Sequence, residues 1–316
     1  LTLGGGMEVG QITAVTEYSI LTMGYLLMAV SVLTTLPKAR ACLARLTALL
    51  DTRPDVEDGA ASAAVAGPGR PAVEFDHVSF SYPGAEEPVL RDISFTLYPG
   101  QTAAVIGSTG SGKTTLISLI PRLYDVSEGK VTIGGTDVRD LNLHHLHELI
   151  SFVPQKGVLF SGTIQSNIRY GAPDISQEQV EKAAAVAQAT EFIQEKPKGY
   201  EDPVAQGGSN VSGGQKQRLS IARALAKQAP VLIFDDSFSA LDFKTDAALR
   251  RALAPQTKDA TVLMAQRVST IMNADQIIVL EDGKIVGKGT HKELLKTCKV
   301  YEEIARSQLS EEEIAQ

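Results

Sequence analysis

Gly107-Ser108-Thr109-Gly110-Ser111-Gly112-Lys113-Thr114-Thr115 fits the pattern G-x-x-x-x-G-K-[ST]. An apolar run, Thr102-Ala103-Ala104-Val105-Ile106, leads into it, and the apolar-periodic Leu116, Ile117, Leu119 and Ile120 lead out. Strand, Gly-rich loop and helix form the setting that a phosphate-binding loop requires. The glycines let backbone N–H groups converge on phosphate oxygens, and the helix N-terminus adds partial positive charge. Lys113 is expected to reach the β- and γ-phosphates, and the Thr114 hydroxyl to bind Mg²⁺.

C-terminal to this loop, the buried-type strand Val231-Leu232-Ile233-Phe234 ends in Asp235-Asp236. An apolar strand that delivers an acid at its C-terminal end is the second half of a phosphate-loop site, with Asp235 holding Mg²⁺ through water. The bland alternative is an acidic turn after a buried strand. Between the two lies Ser212-Gly213-Gly214-Gln215, preceded by Asn210-Val211 and followed by Lys216-Gln217-Arg218. Ile221, Ala222, Ala224 and Leu225 continue a helix from there, so this is another helix N-terminus suited to an anion. Alone it is a weak signal, because such turns are common.

N-terminal to the loop, residues 12–36 are the most apolar stretch, with Glu17 the one charge near its start. About 20 apolar residues suffice to cross a bilayer. Lys38, Arg40, Arg45 and Arg53 follow, which puts the C-terminal side in the cytoplasm. The alternative is a buried helix of a soluble protein. Leu43, Leu46, Leu49 and Leu50 continue a helical stripe beyond it. Residues 51–70, with Pro54 and the Ala/Gly/Pro-rich Gly59 to Gly69, have the composition of a linker. The chain opens on Leu1, and no basic n-region precedes the apolar run, so it reads as a fragment or as starting inside a longer gene product.

The 316 residues suggest roughly two domains, and 43% hydrophobic with 21% charged residues is ordinary globular composition. A net charge of −7 argues against a nucleic-acid surface, which shows as a basic stripe or patch. The two cysteines, Cys42 and Cys298, stand in no metal spacing and read as reduced thiols. From Pro71 the pattern is α/β. Val73 to Tyr82 reads as two short strand-like pieces and Ile93 to Leu97 as a third. Val131–Ile133, Ile150–Val153 and Val262–Ala265 also read as strands. Ile277–Leu280, Asp282-Gly283 and Lys284–Val286 form a hairpin with an Asp-Gly turn. Residues 176–195, with Ser176 as N-cap, and residues 290–309 read as helices. Glu311, Glu312 and Glu313 close a solvated tail.

In combination these motifs resemble the ATP-binding cassette (ABC) family, exporter type, over about residues 72–308. Tyr82 stands where the family's adenine-stacking tyrosine is found, and residues 107–114 match Walker A. Gln155, in Phe152-Val153-Pro154-Gln155, matches the Q-loop. Val211 to Gln215 matches the signature, with valine where leucine is usual. Phe234-Asp235 matches the end of Walker B, and Ser239-Ala240-Leu241-Asp242 the D-loop. The resemblance implies a P-loop NTPase cassette: a mixed β-sheet core, an antiparallel β subdomain and an α-helical subdomain, preceded by a transmembrane helix. On that reading residues 1–50 are the end of a transmembrane domain, 51–70 a linker, 71–309 the nucleotide-binding domain and 310–316 an acidic tail. ATP and Mg²⁺ are the implied ligands, with Tyr82, residues 107–115 and Ser212–Gln215 contacting nucleotide. Thr114, Gln155 and Asp235 are the implied metal groups.

Two positions depart from the family pattern. The family has a glutamate after the Walker B aspartate, the base that polarises the attacking water, and this chain has Asp236. The family has a histidine on the γ-phosphate where this chain has Gln266. A glutamine donates an amide hydrogen bond but cannot become cationic. The resemblance implies that Asp236, Gln266 and Gln155 are the catalytic groups. A lesser departure, Gln206 where the family often has glutamate, carries no conclusion. The resemblance implies a half-transporter in the cell membrane with its cassette on the cytoplasmic side. Its small-molecule export substrate would be multidrug or lipid-like. Its cassette would pair head to tail with a second half-transporter, as in heterodimers with one degenerate site. A slow homodimeric exporter is the first rival. A soluble ABC protein acting on DNA or ribosomes and an importer cassette are weaker ones.

Overall fold

The computed structural model describes residues 8–62, 69–256, 258, 260–265 and 268–309, and the chain divides between Asp55 and Val56 into two compact units. The first unit holds a single helix, α1 (Val9–Leu50), of 42 residues with no buried side chain. Its most apolar window has a mean hydropathy of 1.8, long and apolar enough to cross a membrane. Hydroxyls inside the apolar run find partners within the helix. Thr13, Thr16, Ser19 and Thr22 each donate to the carbonyl four residues back, at 2.7–3.1 Å.

The second unit opens with an antiparallel pair, β1 (Val73–Phe80) and β2 (Leu90–Leu97). β1 is one strand where two pieces were expected. His77 bulges it at φ 49°, opposite a bulge at Asp92 on β2 at φ 51°. Ser94 Oγ accepts the His77 N–H at 3.0 Å and Ser79 Oγ the Asp92 N–H at 3.2 Å, so the interrupted ladder stays hydrogen-bonded. Next come β3 (Thr102–Gly107), α2 (Lys113–Leu119), β4 (Glu128–Ile133), β5 (Thr136–Asp137), α3 (Leu143–Glu148) and β6 (Ile150–Val153). The antiparallel sheet has the order β2-β1-β4-β5.

A helical lobe follows: β7 (Gly162–Thr163), α4 (Ile164–Ile168), α5 (Gln177–Val186), α6 (Thr190–Gln194), β8 (Pro203–Val204) and α7 (Gly213–Ala226). The single helix expected over 176–195 is two. Ser176 does cap α5, accepting from Gln179 N–H, but Gln188 turns left-handed at φ 55° and ends the first piece. Burial of Ala187 and Ala189 fixes that turn, and alanine spacing alone does not signal it.

The chain then returns through β9 (Val231–Asp235), α8 (Phe243–Gln256), β10 (Thr261–Ala265), α9 (Val268–Ile271), β11 (Gln276–Glu281), β12 (Lys284–Gly289), α10 (His291–Thr297) and α11 (Lys299–Gln308). Residues 290–309 are thus also two helices, broken at Cys298, which is extended at φ −124° and buried. The main sheet has the order β12-β11-β3-β10-β9-β6, parallel except for β12 at its edge. Apart from the exposed edge strand β12, its strands are mostly buried on both faces, which is why they read as continuous apolar runs. Val105, Ile233, Leu263 and Ile278 pack with α2 and the antiparallel sheet. Ala104, Ile106, Ile277 and Val279 pack with α9 and α11.

Residues 56–62, linker-like in composition, lie along the start of α3. Asp58 accepts from Leu143 N–H at 2.7 Å and from the Asn142 amide at 3.0 Å. Ala61 N–H donates to Asp140 O at 2.8 Å. A side chain on Gly59 would lie 2.3 Å from Asp140 O, so only glycine fits.

Candidate nucleotide-binding site

The site sits at the C-terminal ends of the central strands. β3 ends at Gly107, the loop turns through left-handed Gly110 (φ 85°) and Gly112 (φ 98°), and α2 begins at Lys113. A side chain at Gly112 would strike Leu90 at 2.7 Å, whereas Gly110 faces open space. The Ser111 hydroxyl is buried without a partner among the described residues. The Lys113 ammonium folds over the loop and donates to Gly107 O and Ser108 O, both at 2.8 Å. Burial pushes that ammonium below its usual pKa, against the pull of Asp236 and Asp235.

Thr114 Oγ1 donates to Asp235 Oδ1 at 3.0 Å, so two of the three residues read as metal groups are in direct contact. Burial raises the Asp235 carboxyl above the ordinary carboxylate range. The Thr114 hydrogen bond opposes that rise, and the charge of Asp236 adds to it. A buried carboxylate beside a hydroxyl is a hard-oxygen pair short of positive charge, and this donor set fits Mg²⁺. A cavity of about 510 Å³ joins these groups, lined by Gly107, Lys113, Thr114, Gln155, Asp235 and Asp236 among others.

Asp236 occupies a left-handed conformation, φ 41°, that non-glycine residues seldom adopt. Its N–H is fixed by Ala265 O at 2.8 Å, and its own carbonyl accepts from Ser239 Oγ at 2.8 Å. Gln155 Nε2 approaches Asp236 Oδ2 at 3.4 Å, so the Q-loop and the carboxylate share one corner of the cavity. Tyr82 stands next to the loop: its hydroxyl lies 3.0 Å from Thr115 Oγ1, and its ring meets Phe80 and Tyr124 edge-on. Gln266 lies outside the described residues.

Ser212, Gly213, Gly214 and Gln215 do not line this cavity among the described residues; they cap α7. Ser212 Oγ accepts from Gln215 N–H at 3.3 Å, and Gln215 Oε1 accepts from Ser212 N–H at 3.0 Å. Nothing lies within 4 Å of where a Gly213 side chain would be, so this helix start is open. Two residues take roles that the sequence did not assign them. Buried Gln217 ties α7 to the Q-loop, accepting from Gly157 N–H at 2.8 Å and donating to Pro154 O at 3.1 Å. Gln308, at the end of α11, lines the cavity. Neither belongs to a local pattern, and only tertiary packing brings them in.

A profile described as ABC transporter matches residues 90–239. An uncharacterized ABC transporter ATP-binding protein of Mycobacterium tuberculosis is 45% identical over 96% of this chain and 53% of its own length. The chain belongs to the ABC transporter family. An ATP-dependent lipid A-core flippase of Haemophilus influenzae is 39% identical over 96% of this ABC chain and 52% of that protein. The solved structure of a bacterial Atm1-family ABC exporter with ATP bound superposes with a TM-score of 0.83. It is 35% identical, covering 97% of this chain and 54% of that one. The ABC chain spans about half the length of the curated relatives it matches. Its mixed sheet, antiparallel sheet and helical lobe are those of an ABC cassette, accompanied by an apolar N-terminal helix.

Proposed function

We propose that this chain is the ATP-binding part of an ABC exporter subunit whose own site binds ATP well and hydrolyses it slowly. The observation that carries the reading is Asp236. It stands where the family has glutamate, and its carboxylate is one methylene shorter, about 1–1.5 Å back from the water it would polarise. A misplacement of about 1 Å can cost ~10²-fold in rate. Its left-handed backbone is fixed by Ala265 and Ser239, and that anchoring opposes an advance into the cavity. The binding groups meanwhile are complete. Lys113 brings positive charge, residues 107–115 form the phosphate loop, and Tyr82 lies beside it. Mg²⁺, when bound, neutralises charge on the β- and γ-phosphates, and Thr114, Gln155 and Asp235 are the groups to hold it. Gln266 in place of histidine removes a group able to become cationic at the γ-phosphate.

On this reading residues 1–50 end a transmembrane domain, 51–70 link it to the cassette, 71–309 bind nucleotide on the cytoplasmic side, and 310–316 form an acidic tail. The cassette pairs with that of a second half-transporter, a heterodimer. Ser212, Gly213 and Gly214 complete the partner's site, which does most of the hydrolysis. The open start of α7 supports that role. Likeness to a lipid A-core flippase supports a lipid-like or other amphiphilic export substrate. ATP closes the pair, and loss of the γ-phosphate removes the charge that both faces clasp.

The test compares two variants of the purified complex at saturating ATP. Ser212→Arg is expected to remove nearly all turnover by obstructing the partner's γ-phosphate, and Asp236→Asn to cost far less. If Asp236→Asn abolishes turnover and Ser212→Arg spares it, the degenerate-site reading fails and the slow homodimer with a working aspartate replaces it.

A further inference from the structure

The last turn of α11 reaches the phosphate cavity from a part of the chain that no motif marks. Tyr301 and Ala305 are fully buried and Leu309 nearly so; all three belong to the core cluster that contains Val268 and Ile271 of α9. That row, one helical turn apart, fixes the phase of α11 and carries Gln308 to the cavity wall. There Gln308 Oε1 accepts the Val268 N–H at 3.0 Å. Val268 is buried and opens α9, so its N–H has no partner within that helix and needs one from outside. The amide is thereby oriented. Its acceptor is engaged by the backbone, and the group left for the cavity is the –NH₂ donor. The same cavity is lined by Lys113, Thr114 and Thr109, the groups expected to face phosphate.

We propose that Gln308 is a positioning residue of the nucleotide site: its carbonyl holds the start of α9 while its amide donor meets an anionic phosphoryl oxygen, so that ATP and the docking of the C-terminal helix support each other. The proposal rests on the assignment of this cavity to ATP. It adds a contact from a helix that lies beyond Gln266, the last of the motif positions that otherwise build the site. A donor satisfied only when phosphate is bound favours the bound state, and whatever loosens α11 weakens the site by the same linkage.

Two substitutions separate this role from mere capping. Gln308→Glu keeps an oxygen for Val268 N–H but exchanges the donor for a negative charge facing phosphate. Gln308→Leu removes both functions at similar size. Titration of the full-length transporter with a fluorescent ATP analogue in Mg²⁺ is expected to show affinity weakened about tenfold or more in Gln308→Glu, a loss of at least one hydrogen bond to a charged group. Its melting temperature without nucleotide should stay near that of the native protein, while Gln308→Leu melts earlier. A purely structural cap gives the opposite order, with Gln308→Glu binding like the native protein, and that result overturns the proposal. Lys113→Ala in the same titration separates the two readings. If it too leaves affinity unchanged, the cavity is not the ATP site and the underlying assignment fails; if it weakens binding and Gln308→Glu does not, only the role of Gln308 fails. Should Gln308→Glu not fold, hydrogen exchange at the Val268 amide of the native protein decides. Slower exchange on adding Mg²⁺-ATP supports the link, and an unchanged rate refutes it.

Discussion

Asp235 shows what this site sets against stability. Its carboxylate is buried, accepts one hydrogen bond from Thr114 among the described residues, and has Asp236 beside it. Burial raises its pKa in the folded chain above the unfolded value, so the folded state holds the proton more tightly. Stability from this group is therefore present below the unfolded pKa and is lost as pH rises from there through the folded value. Above the folded pKa the ionised carboxylate costs the ligand-free protein stability. Asp235→Asn keeps an oxygen for Thr114 and removes the charge. It is expected to melt above the native protein at pH 7–8 without nucleotide, and to gain much less from Mg²⁺-ATP. A lower melting temperature in the ligand-free variant would show that the buried charge is compensated by something else. Asp236 carries strain of another kind, a left-handed backbone held by Ala265 and Ser239. Strain of this sort, of order 1–3 kcal/mol, persists where surrounding structure over-determines it.

At the scale of elements, what was legible in the sequence depended on whether the determinant was local. The phosphate loop, the acidic end of β9 and the Asp282-Gly283 hairpin turn, with both residues at positive φ, are written in consecutive residues. The bulges of β1 and β2, the break at Gln188 and the break at Cys298 are not, because each is fixed by neighbours distant in sequence. The strap at residues 56–62 is the plainest case. Its Ala- and Gly-rich composition signals a linker, yet Gly59 is required for close approach to Asp140 and Asp58 anchors the start of α3. α3 leads directly into β6 and then to Gln155, so the strap and the Q-loop lie at the two ends of one continuous segment. Gln217 makes the matching connection from α7, bonded at both its amide atoms to the backbone of residues 154 and 157. Gln217→Ala leaves the half-buried Gly157 N–H and Pro154 C=O without their protein partner, which costs up to about 1–3 kcal/mol where water does not replace it. The expected outcome is a lower melting temperature together with reduced turnover in the assembled transporter, since Gln217 would no longer tie α7 to the Q-loop. Unchanged melting would mean that water replaces the amide at no cost.

At the scale of the whole molecule, the remaining question is what α1 does. Its 42 residues amount to about 63 Å at 1.5 Å per residue, twice the roughly 30 Å of a bilayer's hydrocarbon core. Length alone therefore requires that part of it stand in water if the rest spans the membrane. The sequence supplies the division. Residues 12–36 are mostly apolar, with the Thr16, Ser19 and Thr22 hydroxyls bonded back into the helix, and Pro37 marks the end of that stretch. Lys38, Arg40 and Arg45 follow, and basic residues just past a span are retained on the cytoplasmic side. Cys42 is exposed one turn beyond Lys38, whereas Cys298 is buried, so Cys42 is a native reporter of which side this end occupies. In cells expressing the full-length protein, a membrane-impermeant maleimide is expected to leave Cys42 unmodified from outside and to label it in inside-out vesicles, with the label lost in Cys42→Ser. Labelling of Cys42 in intact cells would reverse the orientation and place the cassette on the wrong side for cytoplasmic ATP. Equal protection from both sides would instead bury this turn in the membrane and move the end of the span past residue 36.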